Sequence, residues 1–519
     1  MTNFLNALEA STNYTYTENG GVTHKSTQSH LLDMFAMGAA MRKRPDADVV
    51  LMFRKAFAEN PTYALKCLFY IRDVRGGQGE RRFFRLCIKD LACREPAAMR
   101  RNIQNIPVYG RWDDLYELID TPVEKDMWDF MRHQFALDLQ SKTPSLLAKW
   151  MKSENTSSTK SVKLGRRTRI AMKMTPRQYR RTLSILRERI NILERLMSAG
   201  EWDKIEFDKI PSKAGMIYRN AFARHDVERM KADKTLQSYA DFAKDETKTV
   251  NAKDLYPYEI VEKAIDLTRN SWFRYSKRKN VDETERAIVN KYWDNYLDSF
   301  DDFAFNGIAV VDTSSSMLSC GNSVAPIDVA ISLGMCCAEK AKGPFHGNYI
   351  SFSARPQLIK IEGVDFVDKV QRIYETNLCE NTNIKGVFDL LLKTARENFC
   401  TQDELPENII IISDMEFDSC ASPGWYYKSQ VPNFISFTRE NANTEMEKIA
   451  KEWSRYGYKL PKLIFWNVDA RQNNIPMLGE TVSYVSGMSP SIYQTIATGK
   501  TGYDLMMEKL NSERYAAVA

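Results

Sequence analysis

The stretch GIAVVDTSSSML, residues 307–318, decides how the second part of this chain is built. A run of small and apolar residues leads into Asp312, and a threonine and three serines follow. A continuous apolar run of this length reads as a strand buried on both faces, as in parallel sheets covered by helices. The same texture recurs in GNYISFSA, NIIIISD, KLIFWNV and TVSYVSG. Between these runs lie amphipathic segments: APIDVAISLGMCCAEKA, NIKGVFDLLLKTAREN and TEMEKIAKEWSRYG. Strands alternating with helices predict βαβ units and a mostly parallel, doubly wound sheet. Sites in such sheets form outside the carboxyl ends of the strands, where Asp312 stands.

Residues before 300 read differently. LLDMFAMGAAMRK, DADVVLMFRKAFAEN, TYALKCLFYIRDV and ERRFFRLCIKDLACR are helix-length segments separated by Gly, Pro and Asn breaks. Tyr179, Leu183, Leu186, Ile190, Leu193 and Met197 recur at helical spacing and predict one apolar helix face. The expectation is an α-solenoid of HEAT-like helix pairs, with a compact helical domain as the alternative. The predicted division is a polar N-terminal arm over 1–28, a helical module over 29–300 and an α/β domain over 301–519. Gly76, Gly77 and Gly79 in RDVRGGQGER follow a helical pattern, so a tight interhelical turn is expected there and not a dinucleotide site.

Charge separates the same two parts. Residues 301–519 hold 20 Lys and Arg against 27 Asp and Glu, a net of −7, so residues 1–300 carry +13. The basic part admits a polyanionic partner or a merely solvated surface. The excess is concentrated: residues 142–195 hold 15 Lys and Arg against three glutamates, a net of +12. A flexible basic loop leading into a basic helix would make a phosphate-binding surface. Its candidate residues are Lys160, Lys163, Arg166, Arg167, Arg169, Lys173, Arg177, Arg180 and Arg181. Arg72 and Arg75 are further candidates, with ion pairs between neighbouring Arg and Asp residues as the structural alternative.

Nine cysteines, an odd number with no C-x-x-C spacing, read as reduced thiols of a cytoplasmic protein. No run approaches a membrane-spanning length, and residues 1–21 lack the basic and apolar regions of a signal peptide. There is no P-loop, no H-E-x-x-H and no G-x-S-x-G, so no enzyme is expected.

Three oxygen-rich loops border the predicted strands or helices: Asp312 to Ser316, CENTNIKG with Thr382, and SDMEFD with Asp414. Hydroxyls with one or two carboxylates suit a hard divalent cation, most simply Mg²⁺. Helix capping is the alternative role for each hydroxyl. Taken together, the loops resemble the metal-ion-dependent adhesion site of von Willebrand factor A domains, over about residues 305–519. That resemblance implies Ser314 and Ser316 as direct ligands, Thr382 as the second-loop hydroxyl, and Asp312 and Asp414 as direct or water-mediated ligands. Asn381 stands where that family often has glycine.

The helical part carries its own resemblance. IRDVRGGQGERRFF, VYGRWDDLYEL, LAKWMKSENTSS and the segment over 179–215 are similar to the TROVE module of Ro-type proteins. LYPYEIV and SDMEFD look closer to a related family of uncharacterised proteins found in bacteria, eukaryotes and large viruses. The resemblance implies a monomeric ring of HEAT-like repeats. It implies binding of small structured or misfolded non-coding RNA, for quality control or tethering, without catalysis. The alternative is an adaptor whose A-type domain uses its metal to capture a carboxylate of a protein partner.

Overall fold

The computed structural model describes residues 12–190, 192–268, 281–299, 306–318, 324–352, 356–376, 383–418, 443–489, 491–496 and 500–519. Two compact units emerge, and they interleave along the chain. The first joins residues 1–67, 256–280 and 300–512; the second joins 68–255, 281–299 and 513–519. A single cut at residue 300 therefore does not separate them.

The first unit is built on a six-stranded sheet. Before it come two short strands, β1 (Tyr14–Tyr16) and β2 (Val22–His24), paired as an antiparallel hairpin. The sheet strands are β3 (Gly307–Asp312), β4 (Asn348–Phe352), β5 (Gln357–Lys360), β6 (Asn408–Ser413), β7 (Lys462–Asn467) and β8 (Val482–Ser486). Their order is β5-β4-β3-β6-β7-β8. All neighbours are parallel except β4 and β5. This is the mostly parallel sheet that the alternating pattern predicts. Every residue of β3 is buried, as a strand covered on both faces requires.

The helices Pro326–Lys340, Ile384–Glu397 and Glu445–Arg455 occupy the three predicted amphipathic segments. Pro326–Lys340 approaches β3 closely at Gly334, where a Cβ would fall 2.3 Å from a Val311 methyl. Only glycine fits that contact. The helix Pro257–Thr268, within the basic part of the sequence, belongs to this unit. Strand β5 has no counterpart in the sequence reading. It is a short, largely exposed edge strand without a continuous apolar run.

The segment read as a polar arm holds the β1–β2 hairpin, bonded into the same unit. Thr17 Oγ1 donates to the Phe417 carbonyl at 2.6 Å. His24 and Ile475 exchange backbone hydrogen bonds at 3.0 Å each way.

The second unit is helical, including Arg82–Arg94, Glu124–Gln140, Thr159–Ala171, Pro176–Arg189, Ser212–Ala232 and Glu283–Asp298. The apolar face predicted from Tyr179 to Met197 is split. One helix ends at Arg189, and another begins at Leu193. Tyr179, Leu183 and Leu186 are buried by the first, Leu193 and Leu196 by the second. A strict spacing does not show such a break; Ile190 and Met197 of the predicted face are only half-buried, while Leu196, off that face, is buried. Of the three glycines in the GGQG turn, only Gly79 has positive φ, +70°. Gly77 is needed for space: a Cβ there would sit 2.0 Å from the Tyr70 carbonyl oxygen.

The C-terminal residues 513–519, assigned from sequence to the α/β domain, belong to this helical unit. Arg514 donates to Asp73 at 2.7 Å and the Tyr515 hydroxyl to the same carboxylate at 2.9 Å. Asn105 donates to the Ala517 carbonyl at 2.9 Å. No helix among the described residues is long and apolar enough to cross a membrane.

Candidate metal centre and basic helical surface

The carboxyl ends of β3 and β6 bring the first candidate site together. Asp312 closes β3, and its oxygens accept from the Ser314 amide at 2.9 Å and the Ser413 hydroxyl at 2.6 Å. The amide contact is a short-range turn that follows directly from an Asp two residues before a serine. It folds Ser314 and Ser316 back over the strand end, with their hydroxyls 3.0 Å apart. Ser316 then donates to Asp414 Oδ2 at 3.0 Å. Four of the five predicted metal residues therefore share one oxygen cluster. Thr382 lies outside the described residues.

Burial sets the electrostatics. Asp312 and Asp414 are 0% and 2% exposed, in a setting that disfavours two negative charges. Burial, followed by the neighbouring Asp414, pushes the Asp312 carboxyl up to about 7. Burial also raises Asp414, against the opposing pull of Arg471. Two poorly compensated carboxylates beside two hydroxyls have the oxygen chemistry that a hard divalent cation takes.

Three residues of this cluster escaped the sequence reading. Arg471 donates to Asp414 Oδ2 at 2.6 Å and pairs with Glu18 at 2.8 Å. Glu416 is fully buried; one oxygen accepts from the Glu18 amide at 2.6 Å and the other has no partner. Burial leads the causes that lift the Glu416 carboxyl to about 7. Arg471 follows β7 by four residues, so the rule placing sites at strand carboxyl ends could have found it. Glu18 could not be found that way, because only the tertiary pairing of the hairpin brings it here.

The second candidate site is the basic segment. Lys160, Lys163 and Arg166 are exposed on the helix Thr159–Ala171, in place of the loop expected there. Lys173 follows that helix, and Arg177, Arg180 and Arg181 are exposed on the helix Pro176–Arg189. Among the described residues none of these seven forms an ion pair or hydrogen bond through its side chain. The Ser158 cap and the Thr175–Gln178 capping box explain why helix forms despite the charge density.

Other predicted cations are committed elsewhere. Arg167 pairs with Asp120 and Glu124 at 2.9 and 2.8 Å, and Arg169 with Glu154 at 2.9 Å. Arg72 is 1% exposed and bonded to Asp114 at 2.8 Å, which removes it from any surface. Arg85 holds the other Asp114 oxygen at 2.6 Å. The ion-pair alternative thus describes Arg72, through Asp114. Arg75 is exposed, and its amide donates to Asp73 at 3.0 Å.

Comparison with known proteins places the chain. The family described as "Domain of unknown function (DUF2828)" matches residues 17–175 and 136–304, more than half of the 519 residues. The chain belongs to the DUF2828 family. Beside the DUF2828 region, residues 306–514 match "Domain of unknown function (DUF7788)". An uncharacterised protein of Acanthamoeba polyphaga mimivirus is 29% identical over 93% of this chain and 84% of its own length. That viral relative accords with the uncharacterised branch to which LYPYEIV and SDMEFD pointed. The crystal structure of the Ro (RSR) protein of Deinococcus radiodurans is similar at a TM-score of 0.49 and 12% identity. The match covers 91% of this chain and 100% of that one.

Proposed function

We propose that this DUF2828 protein is a non-enzymatic, Ro-like RNA-binding protein that holds small structured or misfolded non-coding RNA through its basic helices. One observation carries the reading: seven exposed, unpaired cations on and between the consecutive helices Thr159–Ala171 and Pro176–Arg189. Such a surface binds phosphates without needing base contacts, and releases condensed counterions when it does. The TROVE-like stretches of the sequence agree with it. The test is binding of a labelled structured small RNA across a salt series. Micromolar or tighter affinity at low salt, falling steeply as salt rises, is expected. Failure to bind at low salt, or affinity indifferent to Lys160→Glu, Lys163→Glu and Arg166→Glu together, rejects the reading.

The oxygen cluster favours a second reading, in which the acidic unit is a metal-dependent protein-binding module. Asp312, Ser314, Ser316 and Asp414 would hold Mg²⁺, which supplies an open coordination position for a partner carboxylate. A Mg²⁺ titration followed by calorimetry tests this, with Asp312→Ala as the control. Heat of binding that persists in Asp312→Ala would place the cation elsewhere.

A further inference from the structure

The helical unit contains a cavity of about 590 Å³ that borders the basic helices and shares Arg180 with them. Lys149, Arg180, Arg187 and Glu194 supply its uncompensated charge, and Leu183 and Ile192 part of its apolar wall. Its remaining charges are neutralised: Glu154 pairs with Arg169, and Arg195 with Glu188.

Arg187 is the unusual member. Its guanidinium donates to the Ala148 and Met151 carbonyls, both at 2.9 Å, and to the Ser153 hydroxyl at 3.1 Å. All three acceptors are neutral, and among the described residues Arg187 has no carboxylate partner. A guanidinium offers five N–H donors, so part of the fork is left over. Burial pulls the Arg187 pKa below its usual value, as a cation without a counter-charge should show. Among the described residues Lys149 and Arg180 have no ion partner either. Against these three cations, which lack a carboxylate partner among the described residues, stands Glu194, one of whose oxygens is buried without a donor.

We infer that this cavity is a binding site for one phosphorylated nucleotide. The phosphate answers Arg187, Lys149 and Arg180, in the geometry for which guanidinium is suited. A hydroxyl or amino donor of the nucleoside answers Glu194, and Leu183 and Ile192 face the base. Inorganic phosphate would leave Glu194 and most of the volume unused. The inference rests on the RNA reading for its choice of ligand, and the phosphate could belong to a free nucleotide or to a strand end.

The experiment compares AMP with adenosine by calorimetry on the full chain. In parallel, a 5′-phosphorylated oligoribonucleotide is compared with its 5′-hydroxyl twin by fluorescence anisotropy. AMP is expected to bind at least tenfold more tightly than adenosine, with most of that preference lost in Lys149→Glu and in Arg180→Glu. Arg187→Gln should lose it too, but that residue ties down three backbone and hydroxyl acceptors and its variant needs a folding check. Preference for the phosphorylated oligonucleotide assigns the site to strand ends; preference confined to AMP assigns it to free nucleotides. Equal binding of AMP and adenosine, or binding of neither, overturns the inference. The RNA reading is judged separately, since structured RNA can bind the exposed helices in a salt-dependent way whether or not AMP is recognised.

Discussion

Asp114 in the helical unit and Asp414 in the sheet unit are both buried carboxylates bonded to arginine, yet they titrate in opposite directions. Burial would raise Asp114, but Arg72 and Arg85 overcome it and hold the carboxyl below its usual range. Asp414 has Arg471 alone, and that guanidinium is shared with Glu18 while Asp312 and Glu416 crowd nearby. The difference is the number of arginines bonded to each buried carboxylate. Where two arginines grip one buried acid, even with Arg85 shared with Asp113, the network is a closed structural clamp. Where acids outnumber the arginine, the site is left short of positive charge, which is the condition for taking a cation from outside.

Breaking the closed clamp should produce the largest effect. Arg72→Ala leaves Asp114 buried with half its compensation, and removing one partner of a buried pair costs about 3–5 kcal/mol. Urea unfolding should show a correspondingly lower midpoint. A loss below about 1 kcal/mol would mean that Arg85 alone suffices. On the acidic side, Mg²⁺ at a hundredfold excess over its dissociation constant should stabilise the protein by about 2.7 kcal/mol. Thermal denaturation with and without EDTA reads this directly, and Asp312→Ala should abolish the difference.

The exposed cations give a smaller effect per residue. Reversing Lys160, Lys163 and Arg166 together should weaken RNA binding at least tenfold, about 1.4 kcal/mol, and lower the slope of affinity against salt. The smallest effect concerns Glu262, on the helix Pro257–Thr268. Burial, then the nearby Asp328, lifts its carboxyl to about 7 from an ordinary 4.5. A carboxyl raised in the folded state favours folding fully below its unfolded value and loses that contribution as pH rises towards 7. Glu262→Gln should therefore raise stability at pH 8 and leave it nearly unaltered at pH 4. Its partial exposure limits the gain to about 1 kcal/mol, or about 2–4 °C in Tm. A gain that is equal at both pH values would assign it to packing instead.

How far each site could be read from sequence follows the same contrast. Asp312, Ser314 and Ser316 are neighbours in the chain, and Asp414 follows a run of four isoleucines and Ser413, so their strand-end positions are legible. For Arg72, beside a glycine-rich turn, the sequence admits both a phosphate contact and an ion pair, and only the placement of Asp114 decides for the interior. Arg167 and Arg169 were grouped with the exposed cations because charge density carries no information about which side chains meet Asp120, Glu124 or Glu154.

By itself the sequence determined the two textures: continuous apolar strands after residue 300, helical spacing before it, and a basic excess concentrated over 142–195. These are local properties, set by the period of the backbone and the burial of one face. The tertiary structure alone decided that residues 14–24 and 257–268 join the sheet unit and that 513–519 join the helical one. It also placed Glu18 against Arg471 and left Arg187 without a counter-charge. Each of these depends on contacts between residues far apart in the chain, which are selected by packing and desolvation and leave no periodic trace in it.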